Sequence, residues 1–155
     1  MARLPYLDHA QLPPEHQDYF ESLRTPEGHM MNLHRMMAHR PSLLQARVNF
    51  SRTLNRKDPT LPPRYRELAQ LTVGRITACA YQYHHHVSRG QKAGLSAEHI
   101  MSLPVWETHP LFTREERAVI RYTEEMTRDI RVQDGTFDAL RGFLSPAQIV
   151  ELTLV

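Results

Sequence analysis

The sequence predicts an all-α fold: a compact helical domain of about six to eight helices. Three observations predict it. Apolar residues recur at threes and fours along most of the 155-residue chain. No segment alternates with a period of two for long, so half-buried strands are not expected. Proline rather than glycine supplies the punctuation, 11 against 6, and the runs between prolines have helical length.

The elements follow in order. Pro13 and Pro14 open a helical segment that runs through Arg24; proline in a first turn gives up an N–H that has no helical partner. Thr25-Pro26-Glu27-Gly28 is a turn. His29 to His39 carries Met30, Leu33, Met36 and Met37 at helical spacing, and these methionines, with Met31, read as core filler. Pro41 starts a helix with Leu43, Leu44, Val48, Phe50 and Leu54 at threes and fours. Lys57 to Pro63 reads as a loop. Tyr65, Leu68, Ala69, Thr72 and Ile76 form one stripe of a long helix, which bends around Thr77 to Cys79 into another that ends near Gly94. Ser96 is an N-cap for a short helix through Leu103. Trp106, between Pro104 and Pro110, falls in a loop. Thr113 and Glu116 form a capping box before Ala118, Val119 and Tyr122. Ser145 and Gln148 repeat the device, with Pro146 between them, before Ile149 and Leu152. The run Ile149 to Val155 has no stop signal, so its helix is expected to end at a partner surface or to continue past the sequence.

The bulk numbers narrow the classes of function. The length suits one domain, residues 1–155, with one core. Hydrophobic residues make up 41% and charged residues 23%, ordinary values for a globular domain. The net charge of +2 is small, and Arg64, Arg66, Arg75 and Arg89 are separated by apolar or acidic neighbours. They read as a solvated helix surface, and nucleic acid is not an expected partner. Cys79 is the one cysteine, so no internal disulfide can form. Met1 to Leu12 contains Pro5, Asp8 and His9 and lacks the apolar core of a signal peptide. No stretch approaches the roughly 20 apolar residues that span a bilayer. A cytoplasmic location without membrane association is the expectation.

The segment with chemical content runs from Glu67 to His86. With Cys79 in the first turn of a helix, Gln82, Tyr83 and His86 follow at three, four and seven residues and share its face. A thiol at a helix N-terminus meets the positive end of the macrodipole. His86, two turns on, is out of its direct reach, so water, substrate or a carboxylate must bridge them. Glu67 is the candidate carboxylate, because antiparallel helices can bring it opposite His86, and a buried Glu–His pair passes protons near neutral pH. His84, His85 and His86 are consecutive and point about 100° apart, so they cannot chelate one ion together; no metal is expected. The plainer readings are Cys79 as a small core residue, Glu67 as a surface ion-pair partner and His86 as a structural histidine.

The spacing from Glu67 to Cys79, followed by Cys79-x-Tyr81-x-Tyr83-x-x-His86, resembles the active-site pattern of the carboxymuconolactone decarboxylase and alkylhydroperoxidase-D-like superfamily. The resemblance extends to Asn32-Leu33, to His39-Arg40-Pro41-Ser42-Leu43-Leu44, to Ala93 through Ile100, to Arg114 through Asp129 and to Phe137 through Val155. Its core lies at about residues 41–103. The resemblance implies a small-molecule substrate, no cofactor and a homo-oligomer (trimer, hexamer or dimer). It implies Glu67, Cys79 and His86 as catalytic residues, with Gln82 and Tyr83 lining the substrate pocket.

This chain departs from the pattern where Gln82 stands in the place of a second cysteine, making it a single-cysteine variant that cannot close the disulfide of the dithiol peroxidases. Three readings follow. One is a cofactor-free lyase or isomerase in which His86 is the general acid or base, Glu67 sets its tautomer and Tyr83 donates to a developing enolate. Another is a thiol-dependent alkyl hydroperoxidase using Cys79 and an outside reductant. The third is a non-catalytic helical oligomer that binds a ligand, marked by a filled, dry site beside Cys79.

Overall fold

A computed structural model describes residues 2–54 and 59–155. Among the described residues it contains nine α-helices and no strand. The chain divides into two compact units, residues 1–57 and 58–155.

The first unit holds α1 (Pro14–Glu21), α2 (Asn32–Met37) and α3 (Pro41–Arg52). Prolines open α1 and α3. The turn between α1 and α2 closes through the Gly28 N–H on the Thr25 carbonyl, 2.8 Å, and Gly28 takes a φ of 82°, which glycine adopts without a Cβ clash. The segment expected at His29–His39 is helical only from Asn32 to Met37. The unit's core is Leu12, Phe20, Leu23, Ala38, Leu44 and Val48, with Met30 and Met37 packed against it.

The second unit holds α4 (Pro63–Ile76), α5 (Ala80–Lys92), α6 (Ala97–Ser102), α7 (Arg114–Glu124), α8 (Asp134–Arg141) and α9 (Pro146–Leu154). The expected loop at Lys57–Pro63 lies partly outside the described residues; its described part, from Pro59 to Pro62, is non-helical, and α4 begins at Pro63. Leu68 and Leu71 of α4 are fully buried in a core shared with Leu103, Val119, Ile120 and Leu140. Helix α4 is the hub, packed chiefly on α5 and α7. The predicted caps form: Ser96, Thr113 and Ser145 accept from the backbone N–H of His99, Glu116 and Gln148. Trp106 sits in a non-helical turn but is buried in the core at 3% exposure, with the Arg121 guanidinium 5.2 Å from its ring centre.

Two expectations are corrected. The helix total exceeds six to eight because α8 carries no strong sequence signal. It follows a π-turn at Glu125–Asp129 and a left-handed Ile130 (φ 51°), and its N-cap, Gln133, makes no side-chain cap. The arginines read as a solvated surface are largely tethers. Arg66 is buried and its Nη2 donates to Glu151 Oε1 of α9 at 2.8 Å. Arg64 pairs with the buried Glu116 of α7, and Arg75 pairs with Glu124. Each guanidinium sits on α4 and finds its carboxylate at least 49 positions further along the chain, a separation that local spacing cannot reveal.

Candidate functional site

The site is built on the antiparallel pair α4 and α5, joined by Thr77, Ala78 and Cys79. Ala78 adopts a left-handed φ of 51°, which reverses the chain within three residues. Cys79 is the N-cap of α5, one residue before its first turn. Its N–H donates to the Gly74 carbonyl at 2.9 Å, and its carbonyl accepts from the Tyr83 N–H at 3.0 Å. The thiol belongs to a half-buried residue.

Two glycines set how closely the helices approach. A Cβ on Gly74 would lie 3.1 Å from the Tyr83 backbone nitrogen, and one on Gly90 would lie 3.2 Å from a Leu71 methyl. With Gly74 against Tyr83 and Leu71 against Gly90, the register puts Glu67 opposite His86. The contact is direct: His86 Nδ1 lies 2.7 Å from Glu67 Oε2, with the two side chains 14% and 10% exposed. A carboxylate accepts only, so Nδ1 carries the proton, and in the neutral ring Nε2 keeps its lone pair. Among the described residues no protein group bonds Nε2.

The other two expected site residues are occupied within the protein. Gln82 Nε2 donates to Gln70 Oε1 at 2.7 Å, and Gln70 Nε2 donates to the Val155 carbonyl at 2.7 Å. The side chain in the second-cysteine place therefore joins α5 to α4 and to the end of α9. The Tyr83 hydroxyl donates to the Ile100 carbonyl at 3.3 Å rather than standing free for an enolate. Burial pushes that hydroxyl above the ordinary tyrosine range, so it stays protonated at neutral pH. Sequence reasoning missed Gln70, which lies three residues after Glu67 and carries no motif signal of its own.

His84 and His85 turn away from Glu67, as their spacing requires. His85 stacks edge-on against Tyr81 with ring centres 4.4 Å apart. Burial first, then the nearby Arg89, His84 and His86, hold its pKa below the ordinary histidine value. Among the described residues no three His, Cys, Asp or Glu side chains cluster in a way that would hold a metal ion.

The model of the carboxymuconolactone decarboxylase family matches residues 41–125, more than half of the chain. The chain belongs to the carboxymuconolactone decarboxylase family. The match takes in both helices of the Glu67–His86 pair. An uncharacterised protein of Bacillus subtilis, YdfG, is 28% identical over 92 residues, which cover 58% of this chain and 63% of that protein.

Solved structures extend the family's likeness to the fold. A protein of unknown function from Agrobacterium tumefaciens, provisionally described as the antioxidant defence protein AhpD, is 25% identical with a TM-score of 0.65. The match covers 77% of this chain and 82% of that one. A peroxidase-related protein with an AhpD core from Ralstonia eutropha has a TM-score of 0.77 at 18% identity, covering 97% and 80%. One from Silicibacter has a TM-score of 0.77 at 22% identity, covering 98% and 80%. These last two speak for an AhpD-like fold alone. No helix among the described residues is long and apolar enough to cross a membrane.

Proposed function

We propose that this chain is a cofactor-free lyase or isomerase that moves a proton on a small carboxylated or carbonyl-bearing metabolite. His86 is the base and Glu67 the carboxylate that orients it. The observation that carries this reading is the 2.7 Å contact between His86 Nδ1 and Glu67 Oε2. That contact directs the basic Nε2 lone pair away from Glu67.

In an isomerisation, Nε2 removes a proton from the carbon beside a carbonyl, and the electron pair moves onto the carbonyl oxygen. The imidazolium then returns the proton to the far end of the enolate. In a decarboxylation, the carboxylate leaves as carbon dioxide, its electron pair enters the same enolate, and protonated His86 supplies the replacing proton. Glu67 stabilises the imidazolium in both. The Tyr83 and Gln82 side chains are engaged internally and the Ala80 N–H donates to the Ala78 carbonyl at 3.1 Å, so the donors assigned to the developing oxyanion are the backbone N–H groups of Tyr81 and Gln82 in the first turn of α5. Cys79 lines the entry to that turn.

The test is turnover of a panel of lactone acids and β-keto acids by wild type, Cys79→Ser and His86→Gln. Activity that survives Cys79→Ser and disappears in His86→Gln is the expected result. Activity that depends on Cys79 and ignores His86 overturns the reading.

The placement of Cys79 supports a second reading, a thiol-dependent peroxidase, and so does the description of the Agrobacterium protein. The Cys79 thiolate attacks a hydroperoxide oxygen, the O–O bond breaks, the alcohol leaves, and a sulfenic acid remains. Gln82 cannot resolve it, so an external dithiol returns the thiol and releases water and its own disulfide. Wild type that shows no turnover of an organic hydroperoxide with a dithiol reductant ends this reading.

A further inference from the structure

A second candidate site lies on the side of α7 that faces away from α4. At 100° per residue, Arg114, Arg117, Ala118 and Arg121 fall on one face of α7. Of the five residues that α7 buries, Glu116, Val119, Ile120 and Thr123 fall on the other and Tyr122 at its edge. The arginine face and the start of α8 enclose an open groove of about 440 Å³, within the range of small-molecule sites. Small residues form part of its floor: Ala118, Gly135 and Ala139. A Cβ built on Gly135 meets nothing within 4 Å, so there is room above it.

The charges in the groove are unbalanced and partly pre-set. Three arginines and one carboxylate, Glu125, are among the residues that line it. That carboxylate is already engaged: it accepts from the Gln133 N–H at 2.9 Å and the Thr136 hydroxyl at 2.8 Å, and so caps α8. Arg117 is anchored by an Nη2 bond to the His109 carbonyl at 2.7 Å, while its buried Nε has no partner. Arg121 rests on the Trp106 ring and pairs with exposed Glu107 at 3.3 Å. Two of the three cations are therefore held in position before any ligand arrives, which lowers the ordering cost of binding. Guanidinium forks match oxyanions bidentately, and Arg114 and Arg121 are spaced about 10 Å apart along the helix axis.

We propose that this groove binds an elongated small molecule carrying two oxyanion groups, carboxylate or phosphate. One anionic group sits at the Arg117–Arg114 end and the other toward Arg121, with a short apolar linker over Ala118, Gly135 and Ala139. The site is independent of the Glu67–His86 reading and stands whichever reaction the chain catalyses.

Titration calorimetry at low salt with glutarate and with inorganic pyrophosphate tests it. Saturable binding with a dissociation constant on the order of 0.1–1 mM is expected for at least one, and which one identifies the oxyanion source. Arg114→Glu, at an exposed position, is expected to weaken binding about tenfold or more. Gly135→Trp fills the groove without changing charge and is expected to abolish binding. Lys92→Glu, at the end of α5, makes the same charge change elsewhere and should leave affinity within about twofold. No saturable binding by either probe overturns the proposal. So does an equal loss in Lys92→Glu and Arg114→Glu, or unchanged affinity in Gly135→Trp.

Discussion

Arg66 and Glu67 are consecutive residues of α4, both buried, and each faces an ionisable partner on another helix. Arg66 meets Glu151, whose Oε2 also accepts from the Thr60 N–H at 2.7 Å, the Thr60 hydroxyl at 2.8 Å and the Leu61 N–H at 3.0 Å. Glu67 meets His86 through one bond, and the far nitrogen of that histidine bonds no protein group among the described residues. The first arrangement is closed: donors surround the carboxylate, and its charge is fixed. The second is open, ending on a ring that can exchange a proton. A buried carboxylate given many fixed donors secures helices to one another, whereas one given a single titratable partner is equipped for proton transfer.

The largest effect expected from this contrast is on turnover. His86→Gln should lower the proposed activity by about 10²- to 10⁴-fold, with Glu67→Gln close behind. Thermal unfolding of both should move by only a few degrees, because the pair serves chemistry more than stability. A melting curve that collapses in either variant would put Glu67–His86 in the same class as Arg66–Glu151.

The closed pair should respond in the opposite way. Glu151→Ala strands a buried guanidinium and should cost about 3–5 kcal/mol, read from denaturant unfolding. Turnover of the folded fraction should be little changed.

A pH titration sharpens the same point. Burial opposes ionisation of Glu151, but the Thr60 and Leu61 N–H groups, the Thr60 hydroxyl and Arg66 outweigh it and hold its pKa below the ordinary 4.5. A depressed carboxylate value means the stabilisation is complete above the unfolded-state value and is lost as pH falls through the lower folded one. Stability should therefore decline below about pH 4.5 in wild type and depend less on pH there in Glu151→Gln. Equal acid sensitivity in the two proteins would show that other carboxylates dominate.

The smallest effect concerns helix spacing. Gly74→Ala sets a Cβ 3.1 Å from the Tyr83 backbone, which cannot yield without moving α5. Gly90→Ala meets the ends of two leucine side chains, which can rotate. A loss of about 1–3 kcal/mol is expected for the first and less for the second. If Gly74→Ala also lowers turnover, the spacing of α4 and α5 sets the Glu67–His86 geometry.

Most of the helices were legible in the sequence because their signals are local. Ser96, Thr113 and Ser145 cap a helix beginning at the next residue, and Pro41 opens one, for reasons contained within four residues of chain. Helix α8 was not legible, since its start is satisfied by Glu125, eight residues before Gln133. Of the candidate site, Glu67 and His86 were legible as a pair through their spacing on two helices. The engagement of Gln82 with Gln70, and of Tyr83 with Ile100, was not, because a side chain's partner depends on how helices cross.

By itself, then, the sequence determined the helical class, the caps, the turn before Cys79 and the set of residue types from which an acid–base pair can be made. Each follows from backbone and side-chain preferences that act over a few residues. Only tertiary structure decided that Arg64, Arg66 and Arg75 are tethers, that Trp106 is core, and that Arg114, Arg117 and Arg121 border a groove. Those outcomes depend on which groups from distant parts of the chain exclude water together, and residue order alone does not carry that information.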